Sequence, residues 1–169
     1  MLALNESQQR LVISETEKQI QKAGVILNRP FKMIPVEFDL RGHTIGMYKV
    51  CKNKRVIRYN AQIFAKYFEQ NLRHTVPHEV AHYIVDMQYG RKNIRPHGTQ
   101  WRQLMEQLGA KPERTANFDL TGVPKRRYTT VAYQCACQQH QLGIRRHNKL
   151  VKQQVQYFCR RCGDSLSAL

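Results

Sequence analysis

No apolar run in these 169 residues approaches the length of a membrane span or of a secretory leader's core, and Met1 to Arg10 is polar after its first few residues. A cytoplasmic protein is therefore expected. Cysteine is scarce: there are five, an odd number, which speaks against the paired framework of a small secreted domain and suits reduced thiols or bound metal. Neither an internal repeat nor a low-complexity segment is present. Acidic residues are the largest deficit, with 12 Asp and Glu against 28 Lys and Arg and a net charge of +16.

The hydrophobic share of 41% is ordinary for a globular chain and allows one moderate core with a small appendage. The charge is unevenly spread. Residues 121–169 hold nine Lys or Arg and one acid, whereas the preceding 120 hold nineteen and eleven, so the shorter part carries an equal net charge. A basic segment interleaved with Tyr128, Tyr133, His147, Tyr157 and Phe158 has cations for phosphates and rings for stacking, which points to nucleic acid, DNA or proteins bound to it being the expected partners. The bland alternative is a solvated basic face.

The densest chemistry lies at His78-Glu79-Val80-Ala81-His82, which reads H-E-x-x-H. On a helix, positions four apart share a face, so both imidazoles can grip one metal while Glu79 faces the same cleft. Imidazole nitrogens bind Zn²⁺ and leave a position for water, whose pKa the metal lowers; Glu79 can take that water's proton as general base. Val76, Val80, Tyr83, Ile84 and Met87 form a core-facing stripe at helical spacing. Pro77 fits near a helix start or where the preceding turn can spare an amide donor.

A catalytic zinc usually takes three protein ligands. The metzincin continuation fails, because Val85 and Gln88 stand where Gly and His would be needed. Gly90 and Pro96 bring the chain back, and His97, before a new helix from about Thr99 to Leu108, is the expected third ligand. Glu106, on that helix, is the competing ligand.

Val76-Pro77-His78-Glu79-Val80-Ala81-His82, Pro96-His97-Gly98-x-x-Trp101, the stretch Tyr133 to Leu142, Arg145-Arg146-His147-Asn148 and Cys159-Arg160-Arg161-Cys162-Gly163 together resemble the bacterial SprT proteins. The similarity runs from about residue 60 onward. It implies an α+β protein: a minimal zincin-like metalloprotease domain followed by a C-terminal zinc ribbon. The superfamily includes the eukaryotic Spartan protease, which degrades proteins crosslinked to DNA. The resemblance makes Glu79 catalytic and His78, His82 and His97 the metal ligands.

Along the chain, Ser7 to Ala23 reads as a helix with Leu11, Val12, Thr16, Ile20 and Ala23 near helical spacing and Gly24 as its stop. Val36 to Leu40, Thr44 to Cys51 and Val56 to Tyr59 read as a small antiparallel sheet, and Ala61 to Phe68 as a helix or the opening of the next one. One strand of a zincin-like layout offers a free edge to an extended peptide; Thr44 to Cys51 and Val56 to Tyr59 are both open for that role. Pro112, Gly122, Pro124 and the Lys125-Arg126-Arg127 run mark a linker, placing a zincin-like domain at 1–120 and a basic ribbon module at 121–169.

In the ribbon module, Cys137-x-x-His140 and Cys159-x-x-Cys162 have the spacing of two metal knuckles. The equal gaps favour Cys137, His140, Cys159 and Cys162 as ligands of a second, structural zinc, with Cys135 able to replace Cys137 or His140. Cys51 has no partner in spacing and reads as a packed core or strand residue rather than a nucleophile. Arg145, Arg146 and Lys149 are the expected nucleic-acid contacts. Two function classes follow: a zinc metallopeptidase acting on proteins at DNA, and a non-enzymatic nucleic-acid-binding or regulatory protein that keeps the scaffold. Intact Glu79 favours the first, since a pure scaffold needs no base beside the metal.

Overall fold

The computed structural model describes residues 3–125 and 128–169, so Arg126 and Arg127 of the basic run lie outside the described residues. The chain is α+β and divides into two units, Met1–Lys125 and Arg126–Leu169.

The first unit opens with helix α1 (Glu6–Ile26), capped by Asn5, whose side chain accepts from the Gln8 amide while the Gln8 side chain accepts from Asn5 N–H. Val12, Thr16, Ile20 and Ala23 form its buried stripe, whereas Leu11 is exposed. Gly24 does not end the helix. The stop lies further on, where Asn28 takes a left-handed conformation and the Arg29 amide returns to the Gly24 carbonyl.

Strands β1 (Val36–Glu37), β2 (Gly46–Cys51) and β3 (Lys54–Tyr59) form a sheet in the order β1-β3-β2. The sheet is mixed rather than antiparallel. Strands β2 and β3 make a hairpin around Lys52 and Asn53, and β1 reaches the other side of β3, pairing parallel to it through Val36 with Ile57 and Glu37 with Arg58. This leaves β2 as the longer of the two edge strands, with the two-residue β1 at the other side. Buried Asn60 fixes what precedes β2: its side-chain amide donates to the Gly42 and Thr44 carbonyls, and its backbone N–H to Ile45.

Helical turns then run from Ala61 to Tyr89 as α2 (Ala61–Lys66), α3 (Phe68–Gln70), a π-turn (Asn71–Thr75) and α4 (Val76–Tyr89). The π-turn explains how Pro77 is accommodated. Its wider winding accommodates the pyrrolidine ring and the missing amide, and the buried Asn71 side chain donates to the Ile63 and Tyr67 carbonyls while accepting from Thr75 Oγ1. Helix α5 (Thr99–Gln107) packs against α4 through Trp101, Leu104 and Met105, in a core that also takes Val12, Ile20, Ile57, Tyr59, Phe64, Val80 and Ile84.

The second unit contains β4 (Thr130–Gln134), β5 (Gln139–Gly143), α6 (Ile144–Val151) and β6 (Ser167–Ala168), with an antiparallel sheet ordered β5-β4-β6. A helix therefore occupies part of the stretch that the sequence reading left as hairpin. It is tied to β4 by a 2.9 Å hydrogen bond between Tyr133 Oη and His147 Nδ1. The buried core is Tyr133, Leu142, Cys159 and Leu166. No helix among the described residues is long and apolar enough to cross a membrane.

Candidate metal centres and active site

His78 and His82 lie one turn apart on α4, and His97 meets them from the loop before α5. His97 holds a left-handed backbone (φ 57°), a costly conformation for a residue with a Cβ, and Gly98 follows where an added Cβ would lie 2.9 Å from the Arg95 carbonyl. The turn is bent to deliver the imidazole. The three Nε2 atoms stand 3.1 Å (His82 to His97 and His97 to His78) and 3.3 Å (His82 to His78) apart. Tetrahedral ligands with zinc–nitrogen bonds of 2.0–2.1 Å would be separated by roughly 3.3–3.4 Å. Three converging imidazole nitrogens cannot satisfy one another by hydrogen bonds alone, and a shared cation resolves that conflict. The group is compatible with zinc. Glu106 is exposed on α5 and does not join it.

Trp101 is the floor of this centre. Its ring centroid lies 4.7 Å from those of His78 and His97 and 5.5 Å from that of His82, and its indole N–H donates to the His78 carbonyl. The Glu113 carbonyl accepts a hydrogen bond from His78. Such partners orient metal-binding imidazoles.

Glu79 is buried beside the histidines, and its Oε2 accepts from the Tyr48 backbone amide at 2.6 Å. Because that N–H points at Glu79 rather than at β3, strand alternation turns the N–H and C=O groups of Gly46, Tyr48 and Val50 toward the free edge. Gly46 is required there: a Cβ would fall 2.6 Å from Glu79 Oε1 and 2.9 Å from Thr75 Cγ2. Tyr48 is anchored in turn by its hydroxyl, which donates to Asp86 at 2.5 Å, and Asp86 also accepts from Arg55 at 3.3 Å.

Burial pushes the Glu79 carboxyl up to about 8, against the lowering effect of the Tyr48 amide. Burial, reinforced by neighbouring imidazoles, brings His78 down to about 4 and His82 to about 3. His97 is lowered as well, first by burial and then by the charge of Arg114. These shifts predict how the metal-stripped protein responds to pH. Below about pH 6.5 the unfolded chain takes protons on histidines that the folded chain keeps neutral, so stability falls on acidification. Glu79 acts oppositely: the folded chain keeps a proton that the unfolded chain has released, so stability also falls as pH rises toward 8. Urea unfolding of the chelator-treated protein, followed by the fluorescence of Trp101, should show maximum stability near pH 6.5. A stability that climbs steadily from pH 5 to 8 would overturn the assignment of a buried, protonated Glu79.

In the second unit, the metal-ligating atoms of Cys135, Cys137, Cys159 and Cys162 all lie within 4.8 Å of one another. Cys137 Sγ stands 3.5 Å from that of Cys135 and 3.7 Å from that of Cys159, close to the separation of about 3.8 Å expected for thiolates on one tetrahedral zinc. The four thiols form a compact group that brings in Cys135, the alternative ligand kept beside His140 in the sequence reading. The cause is local: Cys135 through Gln138 form the turn between β4 and β5, which folds Cys135 Sγ back toward Cys137. His140, on β5, sits 3.2 Å from Cys135 Sγ as its hydrogen-bond partner. Burial raises the Cys135 thiol, but the bond to His140 and contacts at Cys137 and Gln138 outweigh it, lowering the thiol to about 6. The second knuckle shows an Arg161 amide donating to Cys159 Sγ at 3.4 Å and a left-handed Gly163. Arg145, Arg146 and Lys149 are exposed on α6. Cys51 is a strand residue, exposed at the end of β2.

Gly46, Tyr48 and Asp86 were not singled out from sequence, and Trp101 was read only as part of a motif and of an apolar helix face. Gly46 did leave a trace, since an isolated glycine inside a strand pattern signals close backbone approach.

The SprT-like family model matches residues 16–121. A protein called Protein SprT from Klebsiella pneumoniae (strain 342) is 36% identical over 161 residues, covering 95% of this chain and 93% of that protein. Its namesake from Photorhabdus laumondii is 35% identical over 161 residues, covering 95% of this chain and 79% of the relative. No solved structure matches the chain. On the family match and on identity that extends across nearly the whole sequence, the chain belongs to the bacterial SprT family.

Proposed function

We propose that the chain is a zinc-dependent, zincin-like metallopeptidase acting on proteins held at DNA. The observation that carries this reading is the convergence of three imidazole nitrogens beside a buried carboxylate and a free strand edge. Zinc held by His78, His82 and His97 would polarise both a water molecule and the scissile carbonyl. Glu79 accepts the proton released on attack and returns it to the leaving amine. The Tyr48 amide holds the carboxylate in place. The outward-facing groups of Gly46 and Val50, together with the Tyr48 carbonyl, pair with an extended substrate as an added strand, while the Tyr48 N–H stays on Glu79. Trp101 excludes water beneath the imidazoles.

Peptide hydrolysis should cease when zinc is removed by a chelator and return when zinc is restored, measured on an unstructured peptide and on DNA-binding proteins with and without DNA. Hydrolysis that persists in the metal-free protein would reject the mechanism.

The DNA part of the proposal is supported by α6, which presents Arg145, Arg146 and Lys149 to solvent without ion-pair partners among the described residues. Replacing all three with Gln should lower the log–log salt slope of DNA binding by up to about three units, since each neutralised phosphate contributes about 0.9 on duplex. An unchanged affinity and slope would return these residues to a solvated face.

A further inference from the structure

The cleft beside the histidines carries positive side chains that form no ion pair among the described residues. Arg91 and Arg95, from the loop between α4 and α5, line it together with Arg114, from the segment after α5. Arg114 also lines the adjoining cavity of about 500 Å³, which holds His78, Glu79 and Lys111. All four cations are exposed, and none makes an ion pair among the described residues. On the sheet of the same unit, by comparison, Arg55 is paired with Asp86 at 3.3 Å and Arg58 with Asp39 at 2.7 Å. Of the acids lining the two cavities, Glu79 and Asp86 are buried and only Glu113 is exposed.

Unpaired, like-charged side chains around one concavity do not stabilise the folded chain; mutual repulsion works against it. They do raise the local concentration of an anion and reject a cation. We infer that the cleft selects polypeptide segments carrying Asp or Glu near the bond presented to the histidines, with Arg91, Arg95 and Arg114 as the specificity-determining residues. This rests on the peptidase reading of the same site. A polynucleotide would meet the same charge, but the cleft ends at the free backbone edge of β2, which forms a hydrogen-bond ladder with peptide amides and has no such partner in a sugar-phosphate chain.

The test uses the zinc-loaded full chain carrying Glu79→Gln, so that binding is read without turnover. Fluorescence anisotropy would compare three unstructured peptides of equal length, one with Asp and Glu flanking an apolar centre, one with Gln, one with Lys. The acidic peptide should bind about tenfold more tightly than the neutral one at low salt, with the margin shrinking at high salt, because exposed charge pairs are modest and screened. Arg95→Glu with Arg114→Glu should reverse the order, and the milder Arg95→Gln with Arg114→Gln, which keeps the side chains polar, should level it. The cations of the second unit are common to all these proteins, so the differences belong to the cleft. Equal binding of the three peptides, or an acidic preference that survives both double variants, overturns the inference. Loss of oligonucleotide binding in the variants without any peptide preference overturns it too and assigns the arginines to nucleic acid. Hydrolysis by the Glu79 parent is scored separately: if no peptide is cut while the binding order holds, the peptidase reading fails and the selectivity stands.

Discussion

Glu79→Gln is expected to abolish peptide hydrolysis while sparing both fold and metal. Gln is nearly isosteric with Glu, and its carbonyl oxygen can still accept the Tyr48 amide that now lies 2.6 Å from Oε2. The three imidazoles are untouched, so zinc content should be unchanged. What disappears is a group able to take up and return a proton, and loss of a positioned general base costs roughly 10²–10⁴ in rate. The neutral amide also avoids the desolvation that raises Glu79 to about 8. The metal-stripped variant should therefore lose the decline in stability between pH 6.5 and 8 expected of the parent. Elemental analysis, an unfolding curve and a peptide assay on one preparation check all three. Cleavage at the parental rate, with contaminating proteases excluded, would remove Glu79 from the mechanism.

What was legible in the sequence follows the range of the interactions. H-E-x-x-H declares itself because a helix repeats every 3.6 residues, so the spacing alone puts His78 and His82 on one face. His97 was legible as a histidine in a Gly- and Pro-punctuated turn, although its left-handed backbone was not. The π-turn before α4 had only an indirect sign, Pro77, since its cause is the buried side chain of Asn71 reaching carbonyls four and eight residues back. The parallel pairing of β1 was hidden for a different reason. Two residues, Val36 and Glu37, carry no pattern that distinguishes one side of β3 from the other. The contact between Gly46 and Glu79 joins positions far apart in the chain, and no local period encodes it.

The second unit shows the same limit within six residues, and there the outcome can be decided by substitution. Equal two-residue gaps made Cys137 with His140 the natural pair, yet the turn after β4 brings Cys135 into the thiol group and leaves His140 as its hydrogen-bond partner. Cys135→Ser should therefore release the second zinc and unfold this unit, whereas His140→Gln should retain the metal. The effect of the first change is expected to be large because the unit's buried core comprises Tyr133, Leu142, Cys159 and Leu166, too little apolar surface to hold a fold without its metal. Structural zinc sites supply about 10–16 kcal/mol at neutral pH, so loss of a ligand removes much of what keeps such a unit folded. His140→Gln takes away the partner that lowers Cys135 to about 6, so zinc should compete less well with protons and leave at a higher pH than in the parent. Zinc per chain by elemental analysis, circular dichroism, and the fluorescence of Trp101 as an internal control for the first unit separate these outcomes. Two zinc ions retained by Cys135→Ser, with one lost from His140→Gln, would restore the three-cysteine, one-histidine set.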